Sequence, residues 1–279
     1  MFSITILLIG FSRQARTGDL LDDREIKDQN APHVIMNTIS SPMRALIGIT
    51  GEFEPGARAG RPWNKNELLC YYAEAVARAG GAAVMLPLAD PDTCAAVLGR
   101  LDGLVLSGGK GDIPPEAYGE TAHPSTRPLA AERWRSECLW LRTARSLGKP
   151  ILGICLGMQV LTVEAGGRLI QDIPDLRPGA LPHTSPTGME QHDVVLTPDT
   201  CLAAMAPDNR VQVTSSHHQS IVDVPPGYRL AATSEDGLIE AVESPSATLI
   251  IGVQWHPERS LNQPDWLLVE FVKHCGIIG

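Results

Sequence analysis

Lys149-Pro150-Ile151-Leu152-Gly153-Ile154-Cys155-Leu156-Gly157-Met158-Gln159 is a short apolar run that passes through a cysteine between two glycines and continues into helical spacing. The run 151–154 is bounded upstream by Gly148-Lys149-Pro150, and the helical pattern at 158–165 is halted by Gly166-Gly167. An uninterrupted apolar strand that leads directly into a helix belongs to a sheet covered on both faces, which is the habit of parallel sheets. Upstream, the same rhythm repeats. Strand-like runs occupy 45–50, 83–86 and 103–106. Between them lie a helical pattern at 66–78 (Leu69, Tyr72, Ala73, Val76), one at 90–98 opened by Asp90-Pro91, and a long one at 130–147. Downstream of residue 167 the runs become shorter and β-like, at 194–197, 211–214, 228–233, 239–243 and 248–253, before a closing helix at 264–274. The alternation predicts an α/β fold: one domain over 44–275, with a mostly parallel central sheet flanked by helices and a smaller β-rich part after residue 167.

Composition narrows the function classes. The chain has 279 residues, 23 basic and 32 acidic, for a net charge of −9. That balance argues against a nucleic-acid surface, which needs clustered Lys and Arg. With 43% hydrophobic residues the chain can bury a sizeable core. It holds no apolar run of about 20 residues, so no membrane-spanning helix is expected. The six cysteines (70, 94, 138, 155, 201, 275) form no C-x-x-C pair, and no His/Cys/carboxylate set has local metal-ligand spacing. The expectation is therefore free thiols in a reducing cytoplasm, with no metal and no cofactor.

Residues 1–43 stand apart. The apolar run 4–11 is followed, not preceded, by Arg13 and Arg16, then by the acidic stretch 19–28. A signal peptide needs the opposite order. Two readings remain open: a poorly ordered extension, or a translation start at Met36 or Met43.

Gly153-Ile154-Cys155-Leu156-Gly157 is the cysteine counterpart of the G-x-S-x-G elbow. A sharp strand-to-helix turn strains its central residue, and flanking glycines relieve the crowding. At the helix start the dipole and free N–H groups favour a thiolate, and the next N–H, that of Leu156, can donate to an oxyanion. The plain alternative is a buried cysteine in a hydrophobic turn. Among eight histidines, His256 is set apart by Gln254-Trp255-His256-Pro257-Glu258, directly after the apolar run 248–253. Functional residues gather at strand ends in α/β sheets, and Glu258 can fix the imidazole tautomer, giving a Cys–His–Glu relay.

The segments 153–159 and 253–258 resemble the signatures of class I glutamine amidotransferase-like proteins. Residues 71–88 (YYAEAVARAGGAAVMLPL), 102–120 (DGLVLSGGKGDIPPEAYGE) and Ser215-Ser216-His217-His218-Gln219 are similar to the γ-glutamyl-γ-aminobutyrate hydrolase branch, the C26 cysteine peptidases. The resemblance covers about residues 44–275. It implies a flavodoxin-like fold and cleavage of a γ-glutamyl amide through a γ-glutamyl thioester on Cys155. His256 would serve as acid and base, and Glu258 would orient it. Leu156 and Gly109 would form the oxyanion hole, while Gln159, Ser216 and His217 would lie near the glutamyl group. For His217 a structural role is weighed equally. Leu156 stands where this branch often carries Arg, and the turn Gly108-Gly109-Lys110-Gly111-Asp112 is one residue longer than the common form. The expected partner is a small γ-glutamyl amide of polyamine or γ-aminobutyrate catabolism, with neither nucleic acid nor membrane. A homo-oligomer is left open. The rivals are a glutaminase subunit feeding ammonia to a separate synthase, and a non-catalytic protein on the same fold.

Overall fold

The structure, a computed structural model, describes residues 44–58, 61–62, 64–185, 188–260 and 263–277. Both readings of residues 1–43 lie outside the described residues. Eleven strands share one sheet. They are β1 (Leu46–Thr50), β2 (Ala82–Leu86), β3 (Gly103–Leu106), β4 (Ile151–Ile154), β5 (Leu169–Ile170), β6 (Glu190–Leu196), β7 (Arg210–Ser215), β8 (Ser220–Ile221), β9 (Arg229–Ser234), β10 (Ile239–Glu243) and β11 (Ile250–Val253). The order across the sheet is β7-β6-β9-β10-β11-β4-β3-β1-β2, with β8 joining β10 to β5. From β11 to β2 every pairing is parallel, and from β11 to β7 every pairing is antiparallel. The mostly parallel centre expected from the sequence is present. The β-rich stretch expected after residue 167 is present too, and its strands extend the same sheet.

The flanking helices are α1 (Cys70–Arg78), α2 (Pro91–Leu98), α3 (Ala131–Ser146), α4 (Leu156–Glu164), α5 (Ile173–Leu176), α6 (Cys201–Met205) and α7 (Trp266–Ile277). Alternation along the strands divides the core in two. Val105, Leu152, Ile154, Ile251 and Val253 face α1 and α7. Leu104, Leu106, Ile151 and Ile250 face α2, α3 and α4. A strand buried on both faces reads as continuous apolar sequence, as 151–154 does. The sequence expectation for α1 began four residues too early. Lys65–Glu67 instead pairs as a strand with Glu52–Glu54, where Lys65 bonds Glu54 and Glu67. The α4 helix starts at Leu156, two residues before the expected point, which makes Cys155 its N-cap.

The parallel register sets up the site. β11 runs beside β4 with Val253 opposite Ile154, so the residues that follow both strands emerge side by side at the carboxyl edge of the sheet. The two glycines of the elbow allow close approach there. A Cβ on Gly157 would lie 2.2 Å from the Leu106 carbonyl oxygen, and one on Gly153 would lie 2.7 Å from the Gly157 backbone. Gly157→Ala must push α4 off β3, and we expect a loss of roughly 3 kcal/mol. Gly166→Ala, at φ +86 but with open space around it, should cost about 1 kcal/mol. Urea unfolding of the two variants measures the difference; equal losses would refute the close-packing role of Gly157.

Candidate active site

Cys155 has φ 51 and ψ −104, one of two described non-glycine residues with positive φ. Strain at this point is held by its surroundings: the Cys155 N–H donates to the Val253 carbonyl at 2.8 Å, and its carbonyl accepts from Gln159 N at 3.2 Å. The cysteine is thus locked between the end of β11 and the first turn of α4.

His256 follows β11 by three residues, and its own N–H donates to the Thr214 carbonyl at 2.8 Å. Its Nδ1 lies 2.7 Å from Glu258 Oε1, and both side chains are buried. Its Nε2 is buried with no hydrogen-bond partner. A Cβ built on Gly108 would sit 3.1 Å from His256 Cε1 and 3.6 Å from Cys155 Cβ, so both side chains rest against the same glycine backbone. Burial alone would lower the proton affinity of His256. The charges of Glu258 and of the Cys155 sulfur outweigh it and raise the imidazole pKa to about 10. The pair therefore favours the imidazolium form of the ring. An imidazolium stabilises negative charge on a neighbouring sulfur.

The turn after β3 is tied down almost completely. Ser107 N–H donates to Thr50 Oγ1 at 3.0 Å, Gly108 N–H to the Tyr72 hydroxyl at 2.8 Å, and Lys110 N–H to Glu52 Oε1 at 2.9 Å. Only the Gly109 N–H among these four has no partner among the described residues. At the first position of α4 the Leu156 N–H is likewise one of the orphan donors of a helix start. A Cβ on Gly109 would lie 2.7 Å from Leu156 Cδ2, so the Leu156 side chain packs on the glycine turn. Glycine is needed at 109 because any side chain would strike Leu156 and the Glu52–Arg133 pair.

Arg133 braces this turn from below. It is 1% exposed, donates through Nη2 to the Gly108 carbonyl at 3.3 Å, contacts Glu137 at 3.3 Å and pairs with Glu52. Sequence reading missed Arg133, Glu52 and Tyr72 because they come from three separate elements. It also missed Arg259, whose guanidinium stacks 4.0 Å above the Tyr71 ring and lies 3.6 Å from Glu258 Oε1. The adjacent Glu258-Arg259 pair in the sequence was the available signal.

A cavity of about 670 Å³ opens over His256, Gly108 and Gly109, lined also by Tyr71, Met189, Ser216 and Arg259. That volume suits a small-molecule ligand. Ser216, Gly109 and His256 line the cavity, whereas Cys155, Leu156, Gln159 and His217 are not among its lining residues, with Cys155 packed against the lining Gly108. Gln159 is buried and donates to Gln254 Oε1 at 3.4 Å. His217 turns inward to Glu240, with its Nδ1 held by the Gln219 carbonyl at 2.9 Å. Neither residue is placed to touch a ligand in this cavity, because the backbone at both points directs the side chain into the core.

The other cysteines offer no comparable thiol. Burial pushes Cys94 up to about 11, Cys275 up to about 12, and Cys138 higher still. Cys70 and Cys201 are exposed, each the first residue of a helix and not the residue after a buried strand. The expectation of no metal-ligating set misses one group: His183, His192, His217 and Glu240 converge behind Ser216 although they are far apart in sequence. Among the described residues, no helix is long and apolar enough to cross a membrane.

Comparison with known proteins places the chain in a family. The model of the Peptidase C26 family matches residues 45–258. Protein NtpR of Enterococcus hirae is 36% identical over 206 residues, which cover 72% of this chain and 85% of NtpR. The γ-glutamyl-γ-aminobutyrate hydrolase PuuD of Escherichia coli K12 is 34% identical over 198 residues, covering 67% of this chain and 76% of PuuD. The glutaminase domain of Trypanosoma brucei CTPS, solved with bound acivicin, is similar in fold, with a TM-score of 0.56 at 16% identity over 84% of this chain and 94% of that one.

Proposed function

The chain belongs to the peptidase C26 family, and from that membership we propose that it is a cysteine hydrolase of γ-glutamyl amides. Its products would be glutamate and a free amine. The observation that carries the reading is the strained Cys155, packed with His256 of the His256–Glu258 pair against Gly108, where His256 and Gly108 line the cavity.

The chemistry follows from the positions. The Cys155 sulfur attacks the γ-carbonyl carbon, and the carbonyl electrons move onto oxygen. That oxyanion would accept hydrogen bonds from Gly109 N–H and Leu156 N–H, which have no other partner among the described residues. The C–N bond then breaks as the His256 imidazolium gives its Nε2 proton to the leaving amine, which leaves a γ-glutamyl thioester. Water adds to the thioester as neutral His256 takes its proton, glutamate departs, and the sulfur and imidazolium are regenerated. Glu258 holds Nδ1–H throughout, so that Nε2 faces the reacting atoms.

A leaving group larger than ammonia has room here, since the cavity of about 670 Å³ exceeds what a glutamine side chain fills. Arg259 at the rim suits an amine that carries a carboxylate, as γ-aminobutyrate does. The test is kcat/KM of the isolated chain, without ATP or a partner, for γ-glutamyl-γ-aminobutyrate, γ-glutamyl-polyamines and glutamine. A γ-glutamyl amine should be preferred. Preference for glutamine, or activity only with an added synthase, would replace this reading with that of a glutaminase subunit.

A further inference from the structure

We propose that His183, His192, His217 and Glu240 form a closed binding site for one divalent transition-metal ion, with zinc the best match. The four come from the segment before β6, from β6, from the β7–β8 connection and from β10. Their nearest ligand atoms all lie within 4.8 Å of one another. Tetrahedral zinc, with bonds of about 2.0–2.1 Å, sets neighbouring ligand atoms roughly 3.3 Å apart. Glu240 Oε1 lies 3.2 Å from His183 Nδ1, 3.6 Å from His217 Nε2 and 3.8 Å from His192 Nε2. A small contraction brings the set to bonding distance.

The polar atoms facing this point contact one another without a well-aligned hydrogen bond among the described residues. Both carboxylate oxygens of Glu240, which is 0% exposed, have no hydrogen bond, and neither do His183 Nδ1 and His217 Nε2. A buried carboxylate left in this state is costly unless a cation faces it. The opposite ring nitrogens are all engaged by acceptors. His183 Nε2 meets Asp236 Oδ2 at 3.0 Å, His217 Nδ1 the Gln219 carbonyl at 2.9 Å, and His192 Nδ1 the Asp193 carbonyl at 3.2 Å. Outer acceptors of this kind fix the tautomer so that the inner nitrogen presents a lone pair, as they do around metal-bound imidazoles. His192 Nε2 also sits 2.7 Å from the Ser215 hydroxyl, which would turn away when the ion takes that lone pair. A side cavity of about 280 Å³, lined by His183 and His217, gives the ion a route inward.

The ion would act on the candidate active site through the backbone. His217 directly follows Ser216, which lines the main cavity beside His256. Pinning His217 to β6 and β10 holds Ser216 in place, which makes the ion structural.

The experiment uses the full chain, purified without a histidine tag from zinc-supplied cells and measured by elemental mass spectrometry. About one equivalent of zinc is expected in the wild type and in Cys155→Ser, falling below about a tenth in Glu240→Gln. Prolonged chelation of the wild type should lower Tm by several degrees, and added zinc, but not magnesium, should restore it. The wild-type readings stand even if Glu240→Gln does not fold. Less than a tenth of an equivalent together with no Tm response to zinc would overturn the proposal, leaving a His183 imidazolium as the counter-charge of Glu240. Loss of zinc in Cys155→Ser, or its retention in folded Glu240→Gln, would overturn it too.

Discussion

Cys155→Ala lowers γ-glutamyl amide hydrolysis by roughly 10⁴-fold or more, because removing the nucleophile of a coupled relay leaves only binding and oxyanion stabilisation. Stability should hardly change. The sulfur makes no helix-capping hydrogen bond, and alanine keeps the Cβ and therefore the strain of φ 51. Cys155→Gly supplies the contrast: it relieves strain worth about 1–3 kcal/mol against an entropic cost of about 0.5–1 kcal/mol. Its Tm should match or exceed that of the native chain, with activity equally lost. Such a result would mark the site as one where stability is given up to aim a reactive group. A glycine variant much less stable than the alanine variant would show that the backbone at 155 is not strained. Initial rates and thermal melts on the three proteins decide it.

Arg133→Ala should cost about 3–5 kcal/mol at neutral pH, the usual penalty for removing one partner of a buried ion pair. Glu137, 2% exposed, would keep its carboxylate with no cation beside it. Burial already raises the Glu137 pKa, and Arg133 is the main force holding it down. Without Arg133 the native-state pKa rises further. A group whose native pKa lies above its unfolded value destabilises while the unfolded chain is ionised, and the penalty fades once pH falls below the unfolded value. The loss should therefore shrink toward pH 4. Arg133→Met with Glu137→Leu removes both charges at similar volume and should recover most of the stability. Activity should stay depressed in that double variant, because the Gly108 carbonyl and Glu52 lose their brace and the Gly109 N–H is no longer held in place. Full activity in the double variant would separate Arg133 from the glycine turn.

Much of the parallel half of the molecule was legible because its signals are local. The run 151–154 carries its burial in its own residues, and Asp90-Pro91 caps α2 by side-chain chemistry, with Asp90 accepting from Thr93 N–H. Cys155 and His256 could be named because each follows a buried strand. Their meeting depends on β11 pairing beside β4, which no periodicity reveals. Harder still were groups assembled across long separations. Arg133 looks in sequence like one more surface arginine on an amphipathic helix, and only the fold places it under Gly108. His183, His192, His217 and Glu240 have no motif spacing, since the antiparallel strands that unite them are joined by loops of unrelated length. The inward turn of His217 was hidden for a similar reason: it follows Ser216, which lines the cavity, and one step along the backbone reverses the direction, while Gln159 lies in a helix whose residues 156–163 are all buried.

The most direct measurement is the mass of the chain itself during turnover. The full-length protein is mixed with excess γ-glutamyl-γ-aminobutyrate, quenched in acid within milliseconds to seconds, digested and mapped by peptide mass. A transient glutamyl adduct on the peptide containing Cys155, formed at a rate no slower than kcat and absent from Cys155→Ala, is the predicted result. Turnover with no adduct on Cys155, or with an adduct on another cysteine, would contradict the account.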